Sequence, residues 1–119
     1  MLELREHDPG EPGASQALVR VEAAGVNFID TYLRSGAYSR PMPFVLGFEG
    51  AGVIERVGDG ATEFPLGARV AWAQVPGSYA THLVAPLAAL IRIPDDVSSE
   101  TAAAAMLQGL TAHYLVHGV

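Results

Sequence analysis

Cysteine is absent from the 119 residues. Its absence excludes disulfides and every thiolate metal site, and it fits a reducing, cytoplasmic setting. Basic residues are few: seven Lys and Arg against thirteen Asp and Glu give a formal net charge of −6. An acidic chain is repelled by phosphate backbones, so nucleic acid is not expected as a partner, although a local patch could still hold a dinucleotide. Long apolar runs are missing too. Ala102–Leu107, the longest strongly apolar stretch, is far too short to cross a bilayer. Met1–Glu6 has neither the basic start nor the apolar run of a signal peptide, so no membrane association is expected. Neither Gly47, Gly50 and Gly52 nor Gly58 and Gly60 spell G-x-G-x-x-G, and there is no P-loop. The strand, Gly-rich turn and helix N-terminus that hold a pyrophosphate are therefore not supplied by these residues.

What is present describes one domain with a real core. Half of the residues are hydrophobic, and the 13 glycines and 8 prolines are spread along the chain as turns between short strands would require. Leu2–Glu6 alternates as an edge strand does. His7–Ser15 is a Pro/Gly-rich loop. Strands are expected over Ala17–Val26, Glu49–Val57, Arg69–Ala73, Tyr79–Val84 and Leu90–Ile93, and a loop over Tyr38–Phe44. Phe28–Arg34 reads as two helical turns stopped by Ser35-Gly36. Short strands at this spacing suggest a small barrel or sandwich. Beyond Pro94 the character changes: Ser98 or Ser99 can cap a helix over Thr101–Leu107, with Glu100 in its first turn. Gln108-Gly109 is expected to break or bend it before a second helical run, Leu110–Val116.

Polar residues gather at the end of the first long strand, in Asn27-Phe28-Ile29-Asp30-Thr31-Tyr32, where a strand end commonly meets a ligand. Asn27 suits a helix N-cap, and Asp30 and Thr31 suit the first turn; capping and a ligand contact are compatible. Glycine is dense over 47–52, which signals close backbone approach, bulges or turns. His113 and His117 are spaced i, i+4, which can chelate on a helix face, but no third ligand is visible. His7 and His82 stand alone. Trp72, Phe44, Phe64 and Tyr79 read as packing residues.

The segments GVNFIDTYLRSGAY, LGFEGAGVIERVG, GARVAWA and GSYATH closely resemble the catalytic domain of quinone oxidoreductases, the zinc-free branch of the medium-chain dehydrogenase/reductases. The resemblance runs from about Leu18 to Val119. It implies a mainly β fold with a few helices: a GroES-like, partly open β-barrel over residues 1–97, then helices over 98–119 leading toward a Rossmann domain. It also implies a chain clipped at both ends. It implies that Asn27, Phe28, Ile29, Asp30, Thr31 and Tyr32 line the nicotinamide end of NADPH, with Gln108, Thr111 and Tyr114 of the GLTA-x-Y region beside them. Tyr32 and Asn27 become the catalytic candidates, Tyr32 as the donor that polarises or protonates a carbonyl oxygen. Zinc-dependent relatives carry Cys at the position of Asn27 and His at that of Phe48. Both ligands are gone here, Glu49 alone cannot hold the ion, and no zinc is expected. The implied activity of the intact protein is NADPH-dependent reduction of a quinone or another small carbonyl acceptor such as an enone, in a homodimer. The isolated chain is expected to be inactive. A stand-alone GroES-like binding module without catalysis remains the alternative, and an enoyl reductase or a zinc-lost alcohol dehydrogenase relative are variants within the enzyme class.

Overall fold

The computed structural model describes residues 2–36, 44–60 and 64–118. Among the described residues five strands and two helices follow one another: β1 (Gln16–Gly25), α1 (Phe28–Ser35), β2 (Glu49–Val57), β3 (Arg69–Trp72), β4 (His82–Pro86), β5 (Ile91–Arg92) and α2 (Ser99–His117), with a 3-10 turn at Leu87–Ala89. The strands form one antiparallel sheet in the order β4-β1-β2-β3-β5. The edge strands β4 and β5 do not pair with each other, so the sheet is open, as the partly open barrel required.

Alternation sorts the core into two faces. Val19, Ile54, Val70, Trp72, Leu83 and Leu90 pack on one face; Ala51 and Ala71 point to the other, against Ile93 and Ala103. The second face is built of small residues, which lets α2 lie close to the sheet. Along β1 the faces exchange. Val21 packs with the first cluster and Ala23 with the second, although two residues apart should share a face. A register shift between Val21 and Ala23 inserts the extra residue that turns the strand over. This bulge aims the end of β1 and the residues after it.

Several expectations are revised. Leu2–Glu6 is not a strand: alternation requires a neighbour to pair with, and none is present among the described residues, where Leu4 is fully exposed. The fourth strand starts at His82 rather than Tyr79, because the Tyr79 N–H bends back to the Leu46 carbonyl (2.8 Å) and the Thr81 carbonyl accepts from Val21 N–H (2.8 Å). Gln108-Gly109 does not break the helix. Instead of two C-terminal helices there is one, α2, capped by Ser98, whose hydroxyl accepts from Thr101 N–H (3.1 Å). A single interior glycine costs only about 1 kcal/mol against alanine, which the alanines, leucines, Met106 and Gln108 of the same helix outweigh. The loop read over Tyr38–Phe44 lies, apart from Phe44, outside the described residues. No helix among the described residues is long and apolar enough to cross a membrane.

Candidate functional site

The site forms where β1, α1, β2 and α2 converge. Asn27 sits between β1 and α1 at the N-cap position, with extended backbone (φ −127°, ψ 160°). Its side chain reaches beyond the helix. The Asn27 Nδ2 donates to Glu49 Oε1 at the start of β2 (3.0 Å), and its Oδ1 accepts from Gln108 Nε2 on α2 (2.6 Å). Asn27 and Asp30 form a capping box, in which the Asp30 carboxylate accepts from Asn27 N–H (3.0 Å). One asparagine thus ties together all four elements.

Two buried carboxylates support it. Glu49 is 1% exposed and accepts from Asn27 and from the Leu107 backbone N–H of α2. It reaches this position because residue 25 has no side chain: a Cβ on Gly25 would lie 2.1 Å from Glu49 Oε1. Asp30 is 3% exposed, and its Oδ2 also accepts from the Tyr79 hydroxyl (2.6 Å). Burial, then the hydrogen bond and the charge of Asp30, push the Tyr79 phenol far above its ordinary pKa, so it stays a donor. Gly47, at φ +94°, lets the Tyr79 ring pass where a Cβ would stand 2.4 Å from it.

Around this buried frame the surface is apolar and aromatic. Phe28 is 80% exposed, and Val26, Tyr32, Leu110 and Tyr114 are also exposed. The expected site residues fall into three groups. Asn27 and Gln108 are in direct contact. Phe28, Ile29, Tyr32, Thr111 and Tyr114 are exposed, while the Thr31 hydroxyl donates to the Phe28 carbonyl (2.6 Å). Asp30 is inside, acting on Asn27 and Tyr79 rather than facing solvent. Thr111 follows Gln108 by three residues and Tyr114 follows Thr111 by three, so these side chains lie along one side of α2. An open cleft of about 440 Å³, lined by Val21, Ala24, Val26, Tyr79 and Thr81 among others, runs beside the end of β1.

Sequence reasoning missed Glu49 as the partner of Asn27 and Tyr79 as the partner of Asp30. In the sequence Glu49 reads only as a metal ligand and Tyr79 only as packing. The glycines at 25 and 47 were the available signal, since each marks where one of these side chains must pass. Among the described residues no group of three His, Cys, Asp or Glu is gathered to hold a metal. His113 and His117 lie ring to ring at 5.0 Å on α2 without a third such residue.

The open sheet with its helix on the small-residue face is a GroES-like domain, and the chain belongs to the alcohol dehydrogenase GroES-like domain family, whose model matches residues 13–95. Its similarity within that family is to the N-terminal GroES-like part of quinone oxidoreductases. It is 48% identical over 118 residues to the quinone oxidoreductase of Pseudomonas aeruginosa, covering 98% of this chain and 36% of that protein. The crystal structure of the Pseudomonas syringae pv. Tomato DC3000 quinone oxidoreductase superposes with a TM-score of 0.92 at 50% identity, over 97% of this chain and 36% of that one. The Escherichia coli quinone oxidoreductase complexed with NADPH superposes with a TM-score of 0.91 at 39% identity, over 95% and 35% of the two chains. The chain therefore spans about a third of the length of the relatives it matches.

Proposed function

We propose that these residues form the catalytic domain of an NADPH-dependent quinone oxidoreductase that works without zinc, in the cytoplasm, on a quinone or a related small carbonyl acceptor such as an enone. The observation that carries the reading is the Asn27–Gln108 contact. It joins the two segments that the resemblance assigns to the nicotinamide end, and it does so in a chain similar to a quinone oxidoreductase complexed with NADPH. The residues fit that end of the cofactor. They offer an uncharged, aromatic wall with polar atoms set at fixed places, while nothing in the sequence has the Gly-rich fingerprint of a pyrophosphate cradle. Residues 1–97 would be the catalytic barrel, and 98–119 the junction to a nucleotide-binding domain.

NADPH, when bound, supplies the hydride. The chain's own residues would do the rest. Phe28, Ile29, Tyr114 and Thr111 would bound the ring and exclude water, with Asn27 and Gln108 at its polar edge and Thr31 beside them. Asp30 would hold the turn from within. Tyr32 would donate from its hydroxyl to the acceptor's carbonyl oxygen. The cleft beside β1 has room for an acceptor ring.

The test replaces the matching third of the Pseudomonas aeruginosa quinone oxidoreductase with this chain and follows NADPH oxidation by a quinone. The chimera should turn over, and Tyr32→Phe and Asn27→Ala should each lower kcat by about tenfold or more, as loss of a positioned donor or of site geometry does. Full turnover in both variants would remove the site assignment. An active relative made inactive by the graft, with the chain folded, would remove the function and favour a binding module.

A further inference from the structure

We propose that Glu49 is a positioning residue that sets the polarity of the Asn27–Gln108 pair, so that the site offers its ligand a hydrogen-bond acceptor, Gln108 Oε1. The argument follows donors and acceptors from the inside outward. The Leu107 backbone N–H can only donate, and it donates to Glu49 Oε2. A carboxylate accepts through both oxygens, and the other one, Oε1, meets a donor, Asn27 Nδ2 (3.0 Å). The orientation of the Asn27 carboxamide is then no longer free: its Oδ1 points to Gln108. Gln108 must answer with Nε2, at 2.6 Å. Its own oxygen is left over on an exposed side chain, where it accepts no hydrogen bond among the described residues. A buried carboxylate thus decides, through two carboxamides, which atom is presented at the surface. Glu49 is 1% exposed, and a carboxylate so placed needs both of its donors. This fixes the orientation firmly.

The complementary ligand group is an N–H or O–H donor rather than a carbonyl or carboxylate. Only this last step rests on the reading of the wall as a cofactor site; the relay itself does not.

Replacing the carboxylate by its amide tests the relay directly. In Glu49→Gln the Leu107 N–H still requires an oxygen, so the new amide turns its NH2 toward Asn27. Asn27 then flips to present Oδ1, its NH2 faces Gln108, and Gln108 turns its own NH2 outward. In the 119-residue chain, followed by NMR, the Asn27 NH2 should exchange its nuclear Overhauser contact with the residue 49 methylenes for one with Gln108. Solvent exchange of the Gln108 NH2 should rise by about tenfold or more as it leaves its partner. An Asn27 NH2 that stays against residue 49, with Gln108 exchange unchanged, would overturn the proposal.

Position 108 is exposed and gives a second test that does not disturb the core. Gln108→Lys, a donor only, should keep its contact with Asn27, and Gln108→Glu, an acceptor only, should lose it; the opposite pattern refutes the relay. Titration with NADPH of the chimera that carries this chain in the Pseudomonas aeruginosa quinone oxidoreductase, where the remaining two thirds of that enzyme are present, separates the two readings. A relay that inverts as described, with no NADPH-induced shift at Asn27, Gln108 or Thr111, keeps the polarity relay and removes the acceptor's assignment to this cofactor. NADPH shifts without inversion remove the relay and leave the cofactor site standing.

Discussion

Gly25→Ala is the most demanding test of how the site is held. The φ of Gly25 is not in the left-handed region, so alanine meets no backbone strain there. The cost is steric alone. The new Cβ would stand 2.1 Å from Glu49 Oε1, 2.7 Å from Cδ and 2.9 Å from Cγ. Ordinary carbon contacts begin near ~3.5 Å, so the whole carboxylate must move by roughly 1 Å or more. With 1% exposure it has no solvent-filled space to enter. Such a shift breaks the bonds from Asn27 Nδ2 and Leu107 N–H. Hydrogen bonds to a charged group are worth about 1.5–3 kcal/mol each, and part of the loss will be recovered by relaxation, so a net destabilisation of about 3 kcal/mol is expected. For a domain of this size that is a fall in Tm of about 12 °C. Urea unfolding followed by circular dichroism measures it. The cause is isolated by a cycle with Glu49→Ala, which removes the side chain that the new methyl strikes: in that background Gly25→Ala should cost less than about 1 kcal/mol. A loss below about 1 kcal/mol in the native background, or equal losses in both backgrounds, would refute the steric account.

Two further outcomes follow from other parts of the structure. Gly109→Ala should stabilise the chain by about 1 kcal/mol, read from the urea midpoint, because Gly109 lies inside α2 and the nearest atom to its new Cβ is Ala105 Cβ at 3.9 Å; a destabilised variant would mean that α2 bends there. The Tyr79 phenol is pushed up by burial and then by Asp30, so its contribution to stability is complete below the unfolded phenol pKa of about 10 and is lost as pH rises from there through the higher folded value. Tyr79→Phe should therefore lower stability at neutral pH and flatten the alkaline decline above about pH 10, measured as Tm against pH; an equally steep decline in the variant would refute it.

Much of the scaffold can be read without coordinates because it depends on neighbours in sequence. The unbroken apolar run Val70-Ala71-Trp72 suits a strand buried on both faces, and the structure places those residues in its two opposite clusters. Ser35-Gly36 ends α1 as expected, with Gly36 in the left-handed conformation at φ +84°. The same locality explains the misreadings. Leu2–Glu6 alternates but has no partner strand, and Gly109 carries a local penalty that the length of α2 overrides.

The residues by themselves determined the class of fold, the strand and helix types, the cluster Asn27–Tyr32 and the segment Gln108–Tyr114 as places of interest. The family resemblance set the two segments near one another at the nicotinamide end, but named no contact between them. Only the tertiary structure decided that Asn27 meets Gln108 across 81 positions, that Glu49 lies beneath them, and that Asp30 faces inward to Tyr79 across 49 positions. The physical reason is that propensity and periodicity act over a few residues, whereas these contacts depend on the bulge that turns β1 over after Val21 and on the missing side chain at Gly25 that leaves Glu49 its place.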